Sequence, residues 1–396
     1  MDRPLQSPPP LPATLEESAP RSASLVEQPL LGRMVAAVDR LLTNFFGAIT
    51  LIVALAVVSS IPLLNLLSLG YLLQASANVA RSGRLRDGWI GLPLFAMLGK
   101  VILGVWLWTL PIRLLHSYWH DSQLIARGNI RAGELQGALV VVSILIAWHL
   151  VWAILRGGRL WHFVWPAPWR FLKWLGSADP LKGLKATWGP LLEFRELPRL
   201  AVLGAGGFAG AALWLAIPVG ILYLAASLPQ VGLAVLLNLL GAALLGLVVL
   251  YLPFLQTRFA LSRRFAEFFD RRAVREQFHR APLAFWFALT VTLLFALPLY
   301  LLKIELTPQE VAWLPNLVFV LFILPARFLV GWAMARSEKR EAATSMWVRW
   351  PTKLAMLPPV AVYVFFVWLT QYLSWHGTLG LLEQHAFLVP APLLGL

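Results

Sequence analysis

Residues Val231–Phe254, VGLAVLLNLLGAALLGLVVLYLPF, contain one amide, Asn238, and no charge. A run of 18 or more such residues is long enough to cross a hydrocarbon core of ~30 Å. Comparable apolar stretches recur at Phe45–Ile61, Leu63–Ala80, Ile90–Leu115, Gly137–Leu155, Ala201–Leu228, Leu283–Leu302, Leu314–Ala335 and Met356–Trp375. Unpaired backbone groups are too costly in lipid, so such runs must be helices or strands of a closed barrel. None alternates apolar and polar residues with the period of two that a barrel strand needs. The chain is therefore expected to be all-α, a polytopic transmembrane helical bundle of about 8–9 membrane helices.

Composition agrees. Of 396 residues, 59% are hydrophobic and 13% charged, against roughly 45–50% and about 25% in soluble domains. The 19 Trp residues cluster near the ends of the apolar runs, as an interfacial aromatic belt requires. The net charge of +14 does not indicate nucleic acid, because no nucleic-acid reader motif accompanies it. Instead the basic residues alternate along the chain. Arg81–Gly88, Arg156–Arg199, Arg258–Arg280 and Arg336–Lys353 carry three, eight, seven and five of them. His116–Leu135 carries two, Lys303–Ala312 one, and Ser227–Gln230 and His376–Leu396 none. By the positive-inside rule the first group faces the cytoplasm and the C-terminus lies outside. With Arg outnumbering Lys 26 to 7, which hints at a GC-rich genome, the expected location is a bacterial cytoplasmic membrane. The partners so implied are the bilayer and, at the cytoplasmic basic loops, anionic lipid headgroups. No Cys is present, so disulfides and thiolate chemistry are excluded.

Residues 1–34 form a Pro- and Ser-rich tail that cannot bury enough apolar surface to fold. The transmembrane domain spans 35–396. Phe45–Ala80 is either one bent span or a hairpin broken at Ser59–Pro62. The hairpin accords with the charge rule, keeps the tail inside with Arg33 and Arg40, and breaks where Ile61 precedes proline. Asn65, Ser68, Gln74, Ser76 and Asn78 would then bond across to neighbouring helices. YLLQASANVARS (Tyr71–Ser82) is similar to PFLQTRFALSRR (Pro253–Arg264), with Gln74 over Gln256 and Arg81 over Arg263. This suggests two parallel four-helix repeats, 36–200 and 201–355, followed by a last helix, 356–375.

The stretch IPLLNLLSLGYLLQASANVARSGRLRDG resembles a group of bacterial multi-pass membrane proteins of unknown function. The matching residues are Pro62, Gly70, Tyr71, Leu72, Leu73, Arg81 and Gly83. LYLLKIELTP, ILPARFLVGWAMAR and SWHG…EQHAF are similar to segments in planctomycete-type relatives of that group. The resemblance implies membrane placement and no reaction.

Candidate chemistry is sparse. His116 and His120 share a helix face at i, i+4, with Asp121 beside them. With His376, Glu383 and His385, and with Glu305 and Glu310 in the loop between, they could form an outward-facing metal site of His116, His120, His376 and His385. No HExxH supplies the general base of a metalloprotease. GAGGFAG (Gly204–Gly210) mimics a dinucleotide fingerprint but opens a membrane helix rather than following a strand. There Gly206 and Gly210 fit close helix approach instead. Asn65, Gln74, Lys100, His149, Asn238 and Arg327 are intramembrane polar groups that would line any transport path. Against this, Lys100 and Arg327 could snorkel, and no intramembrane carboxylate pairs with them. Trp161, Trp165, Trp169, Arg170 and Lys173 mark an interfacial segment, and Arg258–Arg280 a second amphipathic one. No Ser-His-Asp set, P-loop or kinase motif is present, and no cofactor is implied. Three classes follow: a non-catalytic membrane scaffold or assembly component, which is favoured; a transporter or permease; and an outward-facing metal-dependent enzyme.

Overall fold

The computed structural model describes residues 30–125, 130–176, 189, 196–301, 313–373, 377–381 and 387. The chain divides into two units, Met1–Thr43 and Asn44–Leu396. In the first, the described residues are helical from Leu30, inside the stretch expected to be tail.

The described elements are helices: α1 (Leu30–Ser59), α2 (Asn65–Ser82), α3 (Leu92–Ile125), α4 (Ile130–Leu155), α5 (Leu160–Val164), α6 (Pro168–Leu175), α7 (Glu196–Ser227), α8 (Val231–Ser262), α9 (Arg271–Arg280), α10 (Pro282–Leu301), α11 (Trp313–Glu338), α12 (Met346–Ala355) and α13 (Leu357–Leu373), with short 3-10 turns between some of them. Among the described residues, six helices are long and apolar enough to cross a membrane. A seventh is reached if α9 and α10, bent by 114° at their junction, count as one span. The difference from the expected 8–9 begins at the opening stretch. There α1 offers only the shorter apolar helix Thr43–Ser59, and α2 is too polar to qualify.

That opening is a hairpin. After Ser59 the chain turns through Leu63, whose φ is 69°, and α2 runs back along α1. The Ser68 hydroxyl donates to the Leu55 carbonyl at 3.1 Å. In one continuous helix those residues would lie ~20 Å apart.

The centre of the bundle is α2, and its polar residues explain why. Ser76 bonds Thr257 of α8 at 2.8 Å. Arg81 donates to the Leu261 carbonyl at 3.2 Å, and Arg263 to Gln74 Oε1 at 2.6 Å. Against α7, contact is backbone to backbone. A Cβ on Gly70 would overlap the Leu200 carbonyl, and one on Gly204 the Leu66 carbonyl. Against α11, a Cβ on Gly331 would overlap the Ser76 carbonyl. Small residues thus let α2 approach two neighbours at once, which maximises dispersion contact where lipid offers no hydrophobic drive. The glycines at the helix contact are Gly204 and Gly207, the latter facing Leu73. Gly206 and Gly210, the pair expected to let helices approach, face the rings of Phe259 on α8 and of Phe268.

Helices α2 and α8 end alike. Gly83 (φ 72°, ψ 11°) and Arg263 (φ 59°, ψ 20°) adopt the left-handed conformation that terminates a helix. Extended Arg84 and Arg264 follow, each donating its N–H to the preceding Ser Oγ at 3.1 and 3.2 Å. A 3-10 turn comes next in both, Leu85–Gly88 and Phe265–Phe269. The Tyr71 hydroxyl pins the first, donating to the Ile90 carbonyl and accepting the Ile90 N–H, both at 3.0 Å. Trp214 pins the second through the Phe268 carbonyl at 3.0 Å. This correspondence sets Ser82 over Ser262 and Tyr71 over Tyr251. It is two residues out of step with the Gln74–Gln256 alignment.

Candidate functional site

Polar side chains meet inside the bundle where α8, α10, α11 and α13 converge with Phe387. Arg327 sits mid-way along α11, only 1% exposed. It does not snorkel: its Nη1 donates to Gln256 Oε1 at 2.7 Å. Gln256, itself fully buried, donates from Nε2 to the Phe387 carbonyl at 2.6 Å. Phe387 lies beyond the last described helix in sequence, and its ring sits 5.9 Å from that of Tyr363. The Tyr363 and Tyr300 hydroxyls bond each other at 2.7 Å. A buried guanidinium is tolerated only when its donors are met. Among the described residues Nε and Nη2 of Arg327 find no partner, nor does the side-chain amide of Asn65. Gln256 carried no signal in the sequence beyond its place in the repeat, and Phe387 none.

The other groups proposed for a transport path go elsewhere. Gln74 bonds Asn78 at 2.8 Å and accepts from Arg263. Asn238 donates to the Ala234 carbonyl and accepts from Trp368 at 3.1 Å. His149 Nε2 lies 2.7 Å from the Phe163 carbonyl, which also accepts from Trp108 at 2.7 Å. Arg156 donates to the His162 and Trp165 carbonyls at 2.6 and 2.7 Å. Together these three side chains satisfy carbonyls that the short helix α5 leaves open at its end. Lys100 lies half-buried on α3.

Of the expected metal ligands, His116 and His120 stack with ring centroids 6.4 Å apart, and His120 lies 3.9 Å from Asp121. His376, His385, Glu383, Glu305 and Glu310 lie outside the described residues. Among the described residues no three His, Asp or Glu side chains are placed to hold a metal ion.

A second feature lies at the basic end of the bundle. Here α9 bends from α10 by 114° and is held by Thr344, which donates its N–H to the His279 carbonyl and its hydroxyl to the Arg280 carbonyl at 2.8 and 2.9 Å. Trp286 fixes α12 through the Ala355 carbonyl at 3.0 Å. Between α8, α9 and α12 lies a cavity of 410 Å³, walled by apolar side chains such as Phe254, Phe278 and Leu354 and edged by Arg275, His279 and Lys353. Burial, then the cations Arg349, Lys353 and Arg275, hold the His279 imidazole below its ordinary pKa, with Glu276 opposing.

Helices of this length and composition make the chain an all-helical, multi-pass integral membrane protein. No family model, curated protein or solved structure matches it.

Proposed function

We propose that this protein is a non-catalytic scaffold or assembly component of a bacterial cytoplasmic membrane. The observation that carries the reading is that several of its buried polar side chains bond helix to helix. Arg327, Gln256 and the Phe387 carbonyl form one chain of bonds, while Ser76–Thr257 and Tyr300–Tyr363 bridge helices. Interhelical bonds of this kind join spans in lipid. In this reading the α1–α2 hairpin and α10 also embed, which brings the count to the expected 8–9 helices. The basic ends of α2, α8 and α11 face the cytoplasm, the C-terminus lies outside, and the N-terminal tail is inside. The matched ends of α2 and α8 support two repeats in parallel orientation.

A transporter is the second reading, favoured by the unmatched Nε and Nη2 of Arg327 at mid-membrane. Cysteine accessibility separates the two, because the chain has no native Cys. Ser76→Cys and Thr257→Cys, made singly in membrane vesicles of both orientations, should resist a water-soluble maleimide. Labelling of either would reveal an aqueous path and overturn the scaffold reading.

A further inference from the structure

The cation-edged cavity shares part of its wall with a larger one. Leu250 and Leu357 belong both to its wall and to that of a larger apolar groove of 770 Å³ between α8 and α13. Ala242, Ala243 and Gly246 form the low floor of this groove, and Asn238 and Trp368 lie at its far end. From Val235 to Leu250 the groove follows α8 for ~22 Å, most of the thickness of a hydrocarbon core. At the other end Lys353 lies over the Trp350 ring, 5.7 Å from its centroid, and Trp350 is itself exposed. A long apolar trough that adjoins a pocket edged with cations, beside an exposed Trp, matches one kind of molecule: an amphiphile with a negative head.

We propose that this continuous cleft is a binding site for one anionic phospholipid. Arg275, His279 and Lys353 meet its phosphate, and the α8–α13 groove takes an acyl chain. The inference rests on the membrane reading above and adds a specific ligand class to it. Charge complementarity selects the occupant. A second copy of the chain would bring its own cations to this edge, and a lipid of zero net charge would leave the charges of Arg275 and Lys353 uncompensated. Basic pockets of this sort between membrane helices recognise lipid headgroups, and Arg can grip a phosphate through two parallel hydrogen bonds.

The test is native mass spectrometry of the detergent-purified full chain. It is titrated with phosphatidylglycerol, phosphatidylcholine or glycerol phosphate, and in parallel inserted into phosphatidylcholine vesicles with or without one-fifth phosphatidylglycerol. Wild type should retain one phosphatidylglycerol with at least tenfold preference over phosphatidylcholine. Arg275→Gln with Lys353→Gln should abolish that preference. Gly246→Phe, which blocks the groove and keeps the charges, should weaken both lipids alike, and each variant should melt within a few degrees of wild type. Equal binding of the two lipids, a preference that survives the double charge substitution, glycerol phosphate binding as tightly as the lipid, or a dimer filling the groove would each overturn the proposal. Failure to enter phosphatidylcholine vesicles would defeat the membrane reading itself. Insertion without headgroup preference defeats this inference alone.

Discussion

Alanine at Gly70 or Gly204 tests the tightest contact in the bundle. At both positions the added Cβ would overlap a backbone carbonyl of the facing helix, and at Gly204 it would also lie 2.9 Å from the Gly70 nitrogen. A side chain could rotate aside; a carbonyl held in a helix cannot. The helices must separate, and contacts along the whole α2–α7 seam loosen with them. Overpacking costs ~1–3 kcal/mol, and the alanine returns about 0.5–1 kcal/mol of helix propensity. The net loss is therefore about 2 kcal/mol, near the top of the range because backbone is struck. The double variant should cost less than the sum of the singles, since the first separation makes room for the second methyl. Gly220 and Gly232 are the controls: each lies in a long helix with nothing within 4 Å of an added Cβ. The assay is loss of the monodisperse peak on heating detergent-solubilised protein. Gly70→Ala and Gly204→Ala should melt well below Gly220→Ala and Gly232→Ala. If all four melt together, the α2–α7 contact is not as close as described.

Four further outcomes follow from the buried, capping and titrating groups. Arg327→Ala should destabilise by ~2–4 kcal/mol, from a cavity and a stranded Gln256 oxygen. Arg327→Met with Gln256→Leu should lie near wild type in the same melt. Gly83→Ala, at φ 72°, should cost more than ~1 kcal/mol, because alanine disfavours that backbone. His162 and His279 titrate below their ordinary pKa in the fold, mainly through burial and then through neighbouring cations. The unfolded chain therefore binds more protons just below the ordinary value, and stability rises with pH there. Melting temperature should fall as pH drops from 7 toward 5, and a rise would contradict the assignment.

The membrane helices were legible because 18 consecutive apolar residues leave few alternatives. The hairpin was legible because Ile61–Pro62 and the placement of Arg33 and Arg40 agree. The polar residues of α2 were recognised as bundle-facing, but their partners were not, since Thr257 and Leu261 lie some 180 positions away. Gly206 and Gly210 satisfied the small-residue spacing, yet the helix is turned so that Gly204 and Gly207 meet α2, and spacing alone does not set rotation. Arg327 read as a candidate snorkeler because its rescue by Gln256 is tertiary. Gln256 in turn is completed by a carbonyl at Phe387, and backbone acceptors leave no mark in sequence. The lipid-shaped cleft was hidden for the same reason: Arg275 and Lys353 belong to basic segments separated by two long helices.

The proposed topology requires α8 to cross the bilayer with its basic end inside. Gln230→Cys and Ser262→Cys stand exposed at its two ends, 32 residues apart in register, in a chain with no other thiol. An impermeant maleimide should label Gln230→Cys in intact cells and Ser262→Cys only in inverted vesicles. Labelling of both from the same face would contradict it.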